Sequence, residues 1–291
     1  MRIHETILGL NKRNIRYIYE YNERKYYKLA DDKLISKKLL EKHGFPTPKL
    51  LGEFAHYFQL TQVAKSLNKN ADFVIKPSRG MGGAGILVFD KYVNDKWVTT
   101  SGEEYDHNAI YRHSSMILSG VFSLDSTIDV VMIEEKILID DLFTRIAYQG
   151  IPDIRVIVFK GEPVMAMLRI PTKKSKGKAN LHMGGIGVGI RMDNGVTFIS
   201  DSYRKGVEIN PDNGERVVGI KIPHWERILK LSSEIQKIVP LGYMGLDWVI
   251  DKRYGPQILE MNVRPGLEIQ NINGMGLHAV LHNIKENNEN K

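Results

Sequence analysis

Two strand-like segments near the C-terminal end of the sequence each carry an acidic residue within an otherwise apolar run. The stretch reads GLDWVIDKRYGPQILEMN, with Asp247 in the first run and Glu260 in the second. The polar residues between the runs predict a turn, so the two runs predict a β-hairpin centred on Arg253 and Tyr254. In that register Asp247 lies opposite Glu260. Asn262 follows on the same face because side chains alternate along a strand.

This register places two like charges together, and a cation would relieve their repulsion. Opposed residues of an antiparallel pair have Cβ atoms about 5 Å apart, where like charges repel. Carboxylate and amide oxygens are the ligands that Mg²⁺ prefers, so Asp247, Glu260 and Asn262 form a candidate metal site. A surface hairpin whose acids pair with lysines or arginines is the alternative. The opposite face is predicted to enter the core with Leu246, Trp248, Leu259 and Met261.

Composition restricts the classes of chemistry that this chain can perform. Its 291 residues include no cysteine, which excludes disulfides, thiolate zinc sites and cysteine nucleophiles. The absence of cysteine also agrees with a cytoplasmic location. The first residues are charged throughout, and no apolar run approaches the roughly 20 residues that a bilayer span requires. We therefore expect a soluble protein without a membrane span.

Positive charge is concentrated in two stretches of the sequence, and the formal net charge is +7. Residues 163–192 contain six lysines or arginines and no acid, and residues 11–28 interleave five tyrosines with basic side chains. Such stretches are typical of proteins that bind nucleic acid or smaller anions. We expect the tyrosines to pack on the body of the protein instead of stacking on bases.

A glycine-rich loop follows a lysine at the end of a predicted strand. The stretch KPSRGMGGAG begins at Lys76 and contains Gly80, Gly82, Gly83 and Gly85. Glycines let the backbone approach a ligand, and successive N–H groups can then cradle phosphate oxygens. The sequence lacks a P-loop, and a strand follows the loop where a dinucleotide-binding motif requires a helix. We favour a phosphate-binding loop over a flexible hairpin tip.

The remaining patterns predict an α+β chain rich in antiparallel hairpins. Residues 31–44 carry helix punctuation, with Asp31 or Asp32 as N-cap and Gly44 as C-cap. Further helices are predicted over 57–69 and near 107–119. Hairpins are predicted to turn at Lys160–Gly161 and, in a type I′ turn, at Asn194–Gly195. Residues 92–127 are polar and irregular, as expected for an insertion.

Three further segments leave their role open. The strand VMIEEKI either emerges into water or forms a hinge whose backbone pairs with an adenine edge. Arg155 and Arg169 either grip carboxylates and phosphates in a bidentate fork or are ordinary surface residues. The run KKSKGKANLHMGG is either a mobile basic loop or a clamp for a polyphosphate.

Taken in order, these segments resemble the ATP-grasp ligases, especially the RimK-related α-L-glutamate ligases. The resemblance covers roughly residues 31–275. It rests on the helix lysine, the strand lysine with its glycine loop, E-E-K-I, D-I-R, N-L-H-x-G-G and E-M-N-x-x-P-G-L. It implies an α+β ATP-grasp fold in which two subdomains clasp ATP, with a truncated N-terminal region. The implied divisions are a segment 1–30, a catalytic unit 31–282 with subdomains of about 57–135 and 136–282, and a flexible tail 283–291.

The resemblance also implies a role for each candidate site residue. ATP contacts would come from Lys33, Lys76, Gly80, Gly82, Gly83, Gly85, Glu134, Glu135, Lys136 and Ile137, with Asp141 for the ribose. The γ-phosphate, the carboxylate substrate or the acyl phosphate would face Arg155, Arg169, Lys178 and Asn180. Two Mg²⁺ ions, with Mn²⁺ as a substitute, would be held by Asp247, Glu260 and Asn262.

The implied activity is that of a carboxylate–amine ligase. A carboxylate attacks the γ-phosphate of ATP to give an acyl phosphate, and an amine then displaces phosphate to form an amide. The substrates would be glutamate or another amino acid and a peptide, protein or small amine. An ATP-grasp kinase and a non-catalytic basic module that binds nucleic acid are the alternatives, with a homo-oligomer left open.

We expect Asp247→Asn and Glu260→Gln each to abolish nearly all metal-dependent ATP turnover, because each change removes a charged oxygen donor. The hairpin register also predicts little loss of folding stability, since relief of like-charge repulsion offsets the lost contacts. ATP turnover at varied Mg²⁺ and urea denaturation check the two parts. Unchanged turnover in both variants would remove the metal assignment.

Overall fold

The computed structural model describes residues 6–67, 72–80, 82–123, 126–203 and 206–289. Its strands form two six-stranded sheets in which every paired neighbour is antiparallel, and helices accompany both sheets. The predicted α+β class is therefore confirmed. The chain divides into a larger unit, residues 1–31, 38–46 and 138–291, and a smaller unit, residues 32–37 and 47–137.

The first long helix, α1 (Lys33–Lys42), begins where the sequence predicts. The Asp32 carboxylate accepts the backbone N–H groups of Leu34 and Ile35, each at 3.1 Å, and thereby satisfies two of the unpaired donors at the helix start. Gly44 follows the helix with a φ of 74°, a conformation that favours glycine. The predicted caps are confirmed.

The smaller unit is built on a sheet with the strand order β1-β6-β2-β3-β4-β5. Its strands are β1 (Leu50–Phe54), β2 (Phe73–Pro77), β3 (Leu87–Val93), β4 (Lys96–Thr99), β5 (Glu104–Tyr105) and β6 (Val131–Glu135). A 3₁₀ turn (Tyr57–Gln59) leads into α2 (Leu60–Ser66), and α3 (His107–Leu118) follows β5. Both predicted helices are present. The core of this unit centres on the buried side chains of Phe73, Phe89, Trp97 and Ile110.

The larger unit is built on a second sheet with the strand order β10-β9-β8-β7-β11-β12. Its strands are β7 (Asp153–Phe159), β8 (Glu162–Ile170), β9 (Ile186–Ile190), β10 (Thr197–Phe198), β11 (Tyr243–Asp251) and β12 (Gly255–Asn262). Its helices are α4 (Asp141–Ile146), α5 (Trp225–Ile235), α6 (Glu268–Asn273) and α7 (Leu277–Glu289), with a 3₁₀ turn at Leu181–Met183. The last helix extends into the segment 283–291 that the resemblance implies to be a tail.

The two predicted hairpin turns at Lys160–Gly161 and Asn194–Gly195 differ in their backbone conformation. Lys160 and Gly161 both have positive φ angles, of 51° and 83°, as a type I′ turn between β7 and β8 requires. In the pair Asn194–Gly195 only the glycine has a positive φ, of 68°. The type I′ prediction is wrong there, because the chain leaves β9 at Ile190 and returns to β10 through a wider loop.

The hairpin of β11 and β12 has the predicted register at its acidic residues. Asp247 pairs with Glu260, but an irregularity in the ladder next to Asp247 makes Trp248 pair with Ile258. The extra residue, Leu259, is only partly buried, whereas Ile258 is 2% exposed. Leu259 therefore does not enter the core as predicted, since Ile258 takes that place.

The N-terminal residues pack on the larger unit. They form short helical segments at Leu10–Arg13, Asn14–Ile18, Tyr19–Tyr21, Arg24–Tyr26 and Lys28–Asp31. The rings of Tyr17 and Tyr21 lie 5.6 and 4.9 Å from the ring of Phe159. The side chain of Asn22 donates to the carbonyl of Tyr243 at 2.7 Å and accepts its N–H at 2.9 Å. The expected packing of the tyrosines is confirmed for Tyr17, Tyr21 and Tyr27 and is wrong for Tyr19, which is 64% exposed.

The described helices include none with both the length and the apolar character needed to cross a membrane.

We expect Asn22→Ala to lower the free energy of unfolding by about 3 kcal/mol, because it leaves two buried backbone groups of Tyr243 without partners. The exposed Asn11 provides the control, and Asn11→Ala should change stability by no more than about 0.5 kcal/mol. Urea denaturation of both variants measures the difference. Equal midpoints would show that Asn22 does not fix the N-terminal segment to the sheet.

Candidate functional site

The central strands of the larger sheet carry a network of two acids and two arginines. The ladder places Arg155 of β7 opposite Asp247 of β11, and Arg169 of β8 opposite Asp153 of β7. Arg155 donates from Nε and Nη2 to the two oxygens of Asp247 at 2.7 and 2.6 Å. Arg169 donates from Nη2 to Asp247 at 2.8 Å and from Nε to Asp153 at 2.5 Å. Asp247 therefore joins both arginines.

This network is buried and its charges balance. The side chains of Asp247 and Asp153 are 3% and 9% exposed, and those of Arg155 and Arg169 are 11% and 12% exposed. Burial acts to raise the pKa of Asp247, but the two guanidinium groups outweigh it and hold that pKa well below its usual value. Burial raises the pKa of Asp153 to about 6, because Arg169 offsets it only in part and Asp247 repels its charge. Asp247 is therefore the firmly ionised member.

The hairpin of β11 and β12 adds the other two candidate metal ligands to this network. Asn262 donates from Nδ2 to Asp247 at 3.2 Å, and Glu260 is the direct cross-strand partner of Asp247. All three side chains thus share one face, as the sequence predicts. The described residues contain no group of three or more His, Cys, Asp or Glu side chains placed to hold a metal.

The three candidate ligands are not equally suited to bind Mg²⁺. Glu260 and Asn262 offer the hard oxygen donors that Mg²⁺ prefers. The oxygens of Asp247 accept four hydrogen bonds, three of them from arginine. An ionised carboxylate offers about four acceptor positions, so Asp247 joins a metal only where an arginine releases it. The counter-charge predicted for Asp247 is supplied here by Arg155 and Arg169.

The smaller unit contains a second buried charge cluster, formed by two lysines and one acid. Lys76 Nζ lies 2.5 Å from Glu134 Oε2, and Lys37 Nζ lies 3.0 Å from Glu134 Oε1. The three side chains are 8%, 6% and 4% exposed. Burial acts to raise the pKa of Glu134, but the two lysines lower it overall. Lysine ammonium groups are common ligands of phosphate, so this cluster is a candidate anion site.

The glycine-rich loop begins beside this cluster and is fixed at its start. Lys33 donates from Nζ to the carbonyl of Gly80 at 2.8 Å, and Gly80 forms a β-bridge with Ser123. The buried carboxylate of Asp129 accepts the N–H of Arg79 at 3.0 Å and the hydroxyl of Ser123 at 2.5 Å. The predicted Lys33 therefore meets the predicted loop directly.

The far end of the loop is fixed by the segment that the sequence presents as an insertion. His113 of α3 lies 2.9 Å, through Nε2, from the carbonyl of Gly85. A Cβ atom on Gly85 would lie 2.6 Å from the ring of Phe122, so no larger residue fits. Gly82, Gly83 and Gly85 have φ angles of 60°, 75° and 74°, which explains the glycines. Met81, inside the predicted loop, is outside the described residues.

The backbone N–H groups of the segment predicted to bind adenine already donate to other backbone carbonyls. The N–H of Glu135 donates to Lys49 at 2.9 Å, and the N–H of Lys136 donates to Asp72 at 3.1 Å. Ile137 is buried. With the Glu134 carboxylate already paired to lysines, adenine contacts here would come from backbone carbonyls and the apolar side chain of Ile137.

Three further predicted residues make their hydrogen bonds and ion pairs with other residues of the larger unit. Asp141 is the first residue of α4 and its exposed carboxylate pairs with Lys252 at 2.8 Å. Lys178 and Asn180 lie in the basic loop after β8, where the backbone N–H of Lys178 donates to Ser175 at 3.2 Å. Asn180 caps the following turn by accepting the N–H of His182 at 3.0 Å.

Sequence reasoning missed three participants that carry charge. Lys37 lies four residues after Lys33 on α1, so helical spacing already places both lysines on one face. Asp153 lies two residues before Arg155, so strand alternation places the two side chains on one face. For Asp129 the sequence offers no signal, because its partners are backbone and hydroxyl groups of distant segments.

Comparison with known proteins places the chain in a sequence family. A family model described as "Sugar-transfer associated ATP-grasp" matches residues 12–286. The chain is 25% identical over 251 residues to a "Probable alpha-L-glutamate ligase" of Legionella pneumophila (strain Corby), across 86% of this chain and 61% of that protein. A protein of the same name from Maridesulfovibrio salexigens is 24% identical over 251 residues, with the same 86% and 61% coverage. The chain thus spans about three fifths of the length of these relatives.

Solved structures give more distant similarities. The ATP-grasp ligase PsnB complexed with a minimal precursor has a TM-score of 0.48 and 15% identity, across 90% of this chain and 61% of that chain. The D-alanine–D-alanine ligase of Bacillus anthracis complexed with ATP has a TM-score of 0.43 and 18% identity, across 89% of this chain and 64% of that chain. These values are too low to support an argument about chemistry.

For Asp247→Asn the structure predicts a large loss of stability, whereas the hairpin register alone predicts little loss. Removing this charge leaves two buried guanidinium groups without their shared partner, so we expect a loss of about 3 kcal/mol or more in the free energy of unfolding. Glu260→Gln keeps both guanidinium groups paired with Asp247 and should therefore cost less stability than Asp247→Asn. Urea denaturation of the two variants without metal decides the matter. Equal stabilities would show that the arginines do not depend on Asp247.

Proposed function

Because the chain belongs to the sugar-transfer associated ATP-grasp family, we propose that it is an ATP-dependent carboxylate–amine ligase. The observation that carries the proposal is the buried cluster of Lys37, Lys76 and Glu134, in which Lys76 lies at the start of the glycine-rich loop. Lysine ammonium groups beside a glycine-rich backbone are suited to bind an anion with several phosphate oxygens. The triphosphate of ATP is such an anion.

In the proposed reaction a substrate carboxylate attacks the γ-phosphorus of ATP, and ADP leaves with the electrons of the broken P–O bond. An amine then attacks the carbonyl carbon of the acyl phosphate, forming the amide and releasing inorganic phosphate and a proton. Both steps require neutralisation of charge and positioning more than a protein nucleophile. The lysines of the smaller unit suit this task, and Arg155 and Arg169 would join them only where Asp247 and Asp153 release them.

Each group of residues has a separate task in this proposal. Lys33 and Lys76, with the amides of the glycine-rich loop, bind phosphate oxygens. Glu260 and Asn262 would hold Mg²⁺, with Asp247 as a third ligand where an arginine releases it. When bound, Mg²⁺ neutralises charge on the transferring phosphoryl group. Lys178 and Asn180 are proposed to close on the reacting groups from the loop after β8.

The substrates are proposed from the relatives. The curated relatives are named as probable α-L-glutamate ligases, so L-glutamate is the first amino acid to test. The packing of Tyr17 and Tyr21 against Phe159 removes these rings from base stacking, which counts against a nucleic-acid-binding module. A kinase that transfers phosphate to a hydroxyl group is the second candidate, and the product distinguishes it.

We expect the protein, given Mg·ATP, L-glutamate and a pool of amines that includes amino sugars and peptides, to release ADP and inorganic phosphate in equal amounts. Phosphorus NMR follows the phosphate, and mass spectrometry detects the amide. A stable phosphoester in place of inorganic phosphate would replace the ligase by the kinase. Nucleotide binding without turnover across broad pools of acids and amines would contradict both.

Lys76→Met tests the role of the buried cluster in that assay. We expect turnover to fall by about a hundredfold or more, because the loss of one charge-assisted phosphate contact removes transition-state stabilisation. Glu134 keeps Lys37 as a partner in this variant, so the fold is retained. Lys96→Met, which removes an exposed lysine paired with Glu104, is the control and should keep full turnover. Equal turnover in the two variants would remove Lys76 from the site.

A further inference from the structure

Arg264 lies two residues beyond Asn262, and its side chain is exposed. Its guanidinium carbon lies 4.9 Å from the centre of the Tyr27 ring, in a cation–π contact with the N-terminal segment. Tyr27 is itself buried, so it provides a fixed platform for the guanidinium. One face of Arg264 is therefore covered by Tyr27, while its N–H groups are left for a ligand.

A second arginine lies close by and is buried. Arg13 donates from Nη1 to the carbonyl of Pro265 at 2.9 Å and from Nε and Nη2 to the side chain of Asn14. Burial lowers the pKa of Arg13, and the positive charge of Arg264 lowers it further. Arg13 therefore fixes the segment that carries Arg264 and adds its own charge to the same place.

Neither of these arginines has an acidic partner in the part of the chain that the structure describes, since no carboxylate there lies within ion-pair distance of Arg13 or Arg264. The contrast with Arg155 and Arg169 is direct, because those two arginines give their N–H groups to Asp247 and Asp153. Two adjacent guanidinium groups without a counter-ion create a positive potential that attracts an anion.

We propose that Arg264, supported by Tyr27 and Arg13, forms an anion subsite beside the candidate metal ligands Glu260 and Asn262. The guanidinium group binds a carboxylate or a phosphate in the same bidentate way. The anion is thus a carboxylate of the amino-acid substrate or a phosphate of the nucleotide. The choice between these two sources rests on the proposed ligase function, whereas the presence of the subsite does not.

Arginine modification by phenylglyoxal tests the subsite without any need for turnover. The rate of modification of Arg264 is measured by peptide mass spectrometry with L-glutamate, inorganic phosphate or Mg·ADP, each against buffer alone. Arg191 is the internal control, because it is exposed and its guanidinium carbon lies 4.8 Å from the ring of Phe198. We expect at least one anion to slow the modification of Arg264 about fivefold at concentrations above its dissociation constant. The rate at Arg191 should not change.

The pattern of protection identifies the anion. Protection by L-glutamate alone assigns the subsite to the substrate carboxylate, and protection by phosphate and Mg·ADP alone assigns it to the nucleotide. Equal rates at Arg264 and Arg191 with every anion would overturn the proposal. Because the assay does not depend on amide formation, an inactive protein would contradict the ligase while still deciding the subsite.

A pair of matched variants tests whether the anion binds at Arg264 and not at another exposed arginine. Arg264→Gln should abolish the rise in the Tm of the protein that the protecting anion causes. The matched Arg191→Gln should leave that rise unchanged. Where turnover is found, Arg264→Gln should raise the KM of the ligand that protects Arg264 by about tenfold, with kcat changed less than about twofold. An unchanged KM for both ATP and the carboxylate substrate would also overturn the proposal.

Discussion

The pairing of Asp247 with two arginines organises the larger sheet. Arg155 and Arg169 lie on different strands, and both donate to the one carboxylate on β11. A buried charge is tolerated only where partners and hydrogen bonds compensate its desolvation, so three strands are held in one arrangement. The same face then presents Glu260 and Asn262, whose oxygens suit a hard cation.

The smaller unit contains a different buried charge cluster, in which one acid pairs with two lysines. Glu134 of β6 lies within ion-pair distance of both Lys37 and Lys76. The glycine-rich loop next to it is held at both ends, by Asp129 at Arg79 and by His113 at Gly85. A backbone fixed in advance loses less conformational entropy when a ligand binds. The two lysines and the glycine backbone next to them together favour a phosphate ligand.

Local patterns in the sequence predicted much of the fold. Asp32 caps α1 because a short acid before an apolar periodic run satisfies free N–H groups at a helix start. Lys160 and Gly161 turn between β7 and β8 because their backbone conformations match the twist of the strands. The type I′ prediction for Asn194–Gly195 was wrong because β9 ends at Ile190 and β10 begins only at Thr197. The loop between them is longer than the two residues that such a turn joins.

The candidate site was predicted less completely, for reasons that differ between residues. The acids of the hairpin were found because both lie in one local element. The partnership of Glu134 with Lys37 was not found, because the two residues meet only when β6 packs beside α1 in the folded chain. Arg155 and Arg169 were assigned to a ligand, yet the structure shows them engaged by Asp247 and Asp153.

The sequence by itself determined the elements, their caps and the residue types available to a site, because these depend on neighbours along the chain. Only the tertiary structure decided which residues of distant segments meet, and where each strand ladder is irregular. The ladder of β7 and β8 is irregular next to Ile157, and that of β11 and β12 is irregular next to Asp247. An extra residue in one strand moves every later side chain to the opposite face. These two irregularities place Arg169 and Glu260 on the face of Asp247, where the buried network and the candidate metal ligands meet.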